Sequence, residues 1–216
     1  MRWYYPSCNF QRLFPDTAKR IQAFLQTRED VRIAGCCHKT QQLPQEGDEI
    51  LGVCMSCLLG LAEMRPDVPC RSLFEYLLEL PDFPWPDLSG EALTLQDCFR
   101  ARGNHALQDA VRACLARCGA TVVEMPHNRD EEDFDGSFRF HAPYEQSLRD
   151  APHYFGEVLP PFVTPIPEED WPARFREHAA LFATRRVVCY CNTCTTAARQ
   201  GGADAVHLAE LLFPEP

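Results

Sequence analysis

Short β-branched and aromatic runs alternate with helix-periodic segments along this chain, and the order is told twice. In the first half "RWYYPSC" reads as a strand running to Cys8. "FPDTAKRIQAFLQTR" follows with Ala18, Ile21 and Leu25 at helical spacing and Pro15 suited to a first helical turn. "VRIAG" and "EILGV" read as further strands, and "SLFEYLLEL" closes the unit as an amphipathic helix. In the second half "EALTLQDC" is a strand reaching Cys98. "NHALQDAVRACLARCG" is a helix with Asn104 as N-cap and Gly119 as its stop, then come the strands "TVVEM" and "RRVVC", and "VHLAELLF" answers "SLFEYLL". Strands separated by helices predict parallel sheets under helical covers. The expected fold is therefore α/β, two tandem Rossmann-like βαβ repeats related by a pseudo-two-fold.

The boundaries follow from composition. Residues 1–80 form the first repeat, and 81–91, "PDFPWPDLSGE" with three prolines, form a linker. Residues 92–216 form the second repeat, with an inserted loop at about 139–172. That insertion carries Pro143, Pro152, Pro160, Pro161, Pro165 and Pro167, a density that excludes a continuous helix or central strand. Its aromatics, Tyr144, Tyr154, Phe155 and Phe162, favour an ordered loop over a tether.

In open parallel sheets, ligands gather at the carboxyl ends of strands, where helix N-termini also point. Cys8, Cys36, Cys54, Cys98 and Cys191 all fall at or just past predicted strand ends. The chain has twelve cysteines, no signal-peptide-like start and no run of the roughly 20 apolar residues that spans a bilayer. The expected location is cytoplasmic, where thiols serve metal or redox chemistry more than structural bridges. A formal charge of -10 disfavours nucleic acid as a partner. Neither G-x-G-x-x-G after a strand nor a phosphate-binding G-x-x-x-x-G-K-[ST] is present, so no NAD or flavin of its own is expected.

The first half offers five thiols: Cys8, the adjacent pair Cys36 and Cys37, and Cys54 and Cys57 in C-x-x-C spacing. Four suffice for tetrahedral zinc or a cubane iron–sulfur cluster, and from chemistry alone both stay open. A fifth thiolate is accommodated where one sulfur bridges two irons of an opened cluster. The segments "YYPSC", "GCCHKT" and "VCMSC" resemble, in order, the motifs of the cysteine-rich CCG domains of heterodisulfide reductase and its relatives in anaerobic respiratory complexes. The likeness covers nearly the whole chain apart from the insertion, and His38 stands where the family's glycine is usual. It implies a noncubane [4Fe-4S] cluster on Cys8, Cys36, Cys37, Cys54 and Cys57.

The second repeat matches the family pattern at Cys98, Cys191 and Cys194, but its "DEEDFDGSF" puts Glu131 and Glu132 where paired cysteines are expected. Carboxylates are poor replacements for bridging thiolates. This second set suits a single zinc or iron, or cysteines that merely pack. Cys114, Cys118 and Cys189 are expected in the core and Cys70 in a buried strand, with His38 and His127 structural or facing solvent.

The resemblance further implies an iron–sulfur oxidoreductase subunit. It would reduce a small disulfide, or oxidise thiols, with electrons from an iron–sulfur or flavoprotein partner. The competing expectation is a non-catalytic electron-transfer or zinc-binding module. An insertion lining a pocket beside the first site favours the former.

Overall fold

Tyr4 and Tyr5 sit on an interior strand of a four-stranded parallel sheet, and both are sealed from solvent. The computed structural model describes residues 1–37 and 43–215. Its first half runs β1 (Arg2–Tyr5), α1 (Cys8–Leu13), α2 (Pro15–Gln26), β2 (Val31–Ile33), β3 (Glu49–Gly52), α3 (Met55–Met64), β4 (Cys70–Ser72) and α4 (Leu73–Glu79). The sheet order is β2-β1-β3-β4, with Tyr4 level with Ile33 on one side and Leu51 on the other.

The second half repeats the plan with β5 (Ala92–Gln96), α5 (His105–Arg117), β6 (Thr121–Glu124), α6 (Glu145–Asp150), α7 (Trp171–Ala179), β7 (Arg186–Cys189), α8 (Asn192–Gln200), β8 (Asp204–His207) and α9 (Leu208–Leu212). Its order is β6-β5-β7-β8, again all parallel. Each sheet thus reverses its winding between the strand that opens the repeat and the third strand. Crevices at such reversals are where α/β sheets bind ligands.

Local chemistry explains the elements. Ala18, Ile21 and Leu25 face the core from α2, and Pro15 opens it. Asn104 caps α5 by accepting from the Leu107 amide at 3.1 Å, and Gly119 ends it at φ 78°. Ser72 and Glu75 form a capping box on α4, and His207 and Glu210 form its counterpart on α9. Strand β1 stops at Tyr5, three residues short of Cys8, because Pro6 interrupts it and Ser7 turns at φ 59° to cap α1 through the Phe10 amide.

One apolar core runs through both halves, from Leu51, Phe74 and Leu77 to Leu95, Val111, Leu115 and Leu211. The segment 81–91 is packed into it: Phe83 is buried, 5.3 Å from Phe24 and 5.5 Å from Phe213, ring to ring.

The insertion is more regular than its prolines predict. Helix α6 fits between Pro143 and Pro152, Tyr154–Val158 forms a π turn, and α7 takes Pro172 in its first turn, where no amide is lost. Tyr154, Phe155 and Leu159 pack with Phe99 and Phe138. The insertion grips α3: Glu63 accepts from the amides of His153 and Tyr154 at 2.9 and 2.8 Å. A Cβ on Gly60 would lie 3.0 Å from the Asp150 carbonyl oxygen. Among the described residues no helix is long and apolar enough to cross a membrane.

Candidate metal sites

The five first-half cysteines fall just past the ends of β1, β2 and β3. Cys8 opens α1, Cys36 and Cys37 follow β2, Cys54 is the N-cap of α3, and Cys57 lies in that helix's first turn. Cys8 lies close enough to Cys36 and Cys37 for both to act on its thiol. Cys57 lies close enough to Cys37 and Cys54 for both to raise its pKa. The segment containing His38 lies outside the described residues.

Such crowding splits the thiols' acidity. The Cys36 contact, then burial, pushes Cys8 up to about 11. The Cys57 contact holds Cys54 down at about 6 against burial, helped by the Ser7 hydroxyl, the Cys57 amide and the charge of Arg100. Cys57 is correspondingly raised by Cys37 and Cys54.

Two buried hydroxyls adjoin this set without hydrogen-bond partners, Tyr4 Oη in the field of Cys57 and Cys54, and Tyr5 Oη in that of Cys37 and Cys70. Buried polar groups are seldom left so. Phenolic donors beside thiolates suit a centre rich in sulfur acceptors, so these residues fit an iron–sulfur group. Cys37, Ser56, Cys57, Gly60, Leu61, Met64 and Asp150 line a cavity of about 50 Å³ beside the set. Asp150 belongs to the insertion, which therefore does line a pocket at the first site.

In the second half, Cys98, Asp135, Cys191 and Cys194 place their ligand atoms within 4.8 Å of one another, and all four residues are buried. Cys98 follows β5, while Cys191 and Cys194 occupy the N-cap and first turn of α8, mirroring Cys54 and Cys57 on α3. Cys98 Sγ donates to Asp135 Oδ1 at 3.5 Å, and Asp135 Oδ2 has no partner. Asn192, also buried, has neither amide atom paired.

The carboxylate here is not one of the expected pair. Glu131 is exposed. Glu132 turns its Oε1 to the Asp133 and Phe134 amides at 3.0 and 2.8 Å. The chain instead brings Asp135 in by laying the next residue on the Cys191–Cys194 turn. Gly136 has φ 55°, and a Cβ there would sit 2.6 Å from the Thr193 carbonyl oxygen.

Arg100 completes this site. Its guanidinium is buried, with Nε 2.7 Å from Asp135 Oδ1 and Nη2 3.1 Å from Cys191 Sγ. It also donates to Thr193 Oγ1 and, across to the first half, to Ser56 Oγ, with the Phe138 ring 4.5 Å away. Burial opposes ionisation of Cys191, yet Cys194, Cys98, Arg100 and Thr193 together hold it well below the usual thiol range. Burial drives Cys98 and Cys194 the other way.

The other thiols and histidine fall as expected, except that Cys70 is only half-buried, on the edge strand β4. Cys114, Cys118 and Cys189 are buried in the core, Cys70 lies on β4 with its Sγ 3.6 Å from the Leu58 carbonyl oxygen, and His127 is exposed. Tyr4, Tyr5 and Ser56 lie inside the quoted cysteine motifs without being singled out there, Arg100 carries no motif, and the Asp-Gly turn signal at 135–136 is what points toward Asp135. Compared with known proteins, the chain matches no family model, no curated protein and no solved structure.

Proposed function

We propose that this chain is an iron–sulfur oxidoreductase subunit of the heterodisulfide reductase type, with one reactive and one structural metal site. The observation that supports the reading is the electrostatic proximity of Cys8 to Cys36 and Cys37 and of Cys57 to Cys37 and Cys54, with the unpartnered Tyr4 and Tyr5 hydroxyls in the field of the same thiols. Those five thiolates would hold a noncubane [4Fe-4S] centre, which supplies one-electron chemistry and an iron open to sulfur. Reduction of a small disulfide takes two electrons and two protons and yields two thiols, with an iron–sulfur or flavoprotein partner as electron source. The chain's own part is to position the substrate. The cavity between α3 and Asp150 has space for roughly one or two water-sized groups, enough to seat a sulfur terminus.

The second site would hold one divalent ion. Its donor atoms lie within 4.8 Å of one another, near enough for small side-chain shifts to close them on one tetrahedral zinc, with Zn–S near about 2.3 Å and Zn–O near about 2.0–2.2 Å. A four-iron cluster spreads its ligands wider. Four buried ligand residues leave no path to substrate, which favours a structural role there.

The test is turnover of small disulfides by the iron-loaded protein with an artificial low-potential reductant. Thiol formation that disappears in Cys36→Ser and Cys37→Ser supports the reading. No thiol formation by fully iron-loaded protein contradicts the catalytic part and leaves an electron-transfer module.

A further inference from the structure

Two of the four second-site ligand residues are gripped by one side chain. Arg100 Nε bonds Asp135 and Nη2 bonds Cys191, so the guanidinium fork sets the separation of a carboxylate and a thiolate that must bind the same ion. Three thiolates and a carboxylate carry four negative charges, and a divalent ion leaves two uncompensated. A buried guanidinium offsets one of them without competing as a ligand, since arginine has no lone pair to offer. The same fork does not end at this site. Its Nη1 donates to Ser56 Oγ, in the turn between Cys54 and Cys57. Ser56 also lines the first-site cavity beside Cys37 and Cys57.

We infer that Arg100 is a positioning residue shared by both cysteine sites, which makes the divalent-ion affinity of the second depend on the C-x-x-C turn of the first. The inference rests on the second site holding a metal. Its physical basis is rigidity. The guanidinium is planar, sealed under Phe138 and bonded at every edge, so moving Ser56 must move the atoms facing Cys191 and Asp135. By linkage, an ion at the second site biases the first-site turn to the same degree.

Ser56→Ala isolates the coupling, because Ser56 is not among the second-site ligands and the change removes no buried charge. Full-length protein freed of its native second-site metal is titrated with Co²⁺, followed by thiolate-to-cobalt absorption, in wild type, Ser56→Ala, Arg100→Met and the double variant. Ser56→Ala is expected to weaken Co²⁺ binding about fivefold or more, with a lowered thermal midpoint because it unpairs one buried Arg100 N–H, and to remain folded. Arg100→Met weakens it further, and adding Ser56→Ala to Arg100→Met changes nothing more. Co²⁺ affinity unchanged in Ser56→Ala overturns the coupling even if Arg100→Met fails to fold, and so do additive single effects. Absence of the thiolate-to-cobalt band in wild type overturns the second-site metal reading itself and the inference with it.

Discussion

Arg100 Nε lies 2.7 Å from Asp135 Oδ1, and both side chains are closed off from solvent. A buried pair is weak evidence of stability in itself, but removing one partner strands the other at a cost of about 3–5 kcal/mol. Asp135→Ala should therefore lose both bound zinc and stability. Asp135→Asn, which preserves shape, should lose most of the zinc affinity with a smaller stability loss. Glu131→Gln should leave both unchanged, because Glu131 is exposed. Zinc content per chain and thermal unfolding decide between Asp135 and Glu131.

The unpartnered hydroxyls of Tyr4 and Tyr5 separate structure from tuning. Removing a hydroxyl that bonds nothing in the metal-free chain should change stability by less than about 1 kcal/mol. In the loaded protein each phenol would donate to sulfur, stabilising the more negative, reduced state. Tyr4→Phe and Tyr5→Phe should each lower the midpoint potential in spectroelectrochemical titration. Unchanged potentials would remove the phenols from the account.

Cys36→Ser or Cys37→Ser should abolish or alter the visible absorption of the iron-loaded protein. Cys118→Ser should keep it, because Cys118 packs at the end of α5 in the core. Its cost should be confined to about 1 kcal/mol of stability. Equal losses of absorption from all three would refute the ligand assignment.

Glu132 gives a pH signature. Burial raises its carboxyl to about 7 despite the Phe134 amide, whereas an unfolded glutamate titrates near about 4.3. Between those values the native state binds more protons than the unfolded chain. Stability from this group is thus full below about 4.3, falls as pH rises to about 7, and levels off above, with a slope of at most about 1.4 kcal/mol per pH unit. Glu132→Gln keeps an acceptor for both amides and should flatten that fall. Denaturant melts should match wild type near pH 4 and exceed it at pH 8. Parallel profiles would show that Glu132 titrates normally.

The repeated strand–helix order was legible because hydrophobic period and capping residues agree locally, as at Asn104, Ser72 and Pro15. Cys98, Cys191 and Cys194 were legible as a candidate site because α/β topology sends strand ends to one edge. Asp135 was not, since counting along "DEEDFDGSF" cannot reveal that Gly136 lets the chain settle on the Thr193 carbonyl. Arg100 was missed for a related reason: an arginine reads as solvated until tertiary packing supplies Asp135, Cys191 and Ser56 around it. In the insertion, proline density conceals where helices restart, because a proline at a helix's first turn breaks nothing.

Metal analysis with Mössbauer spectroscopy on anaerobically purified protein is the most direct measurement. The account predicts about four irons and one zinc per chain, the irons in a cluster whose spectrum changes in Cys37→Ser. A colourless protein with two zinc ions and no iron would contradict it.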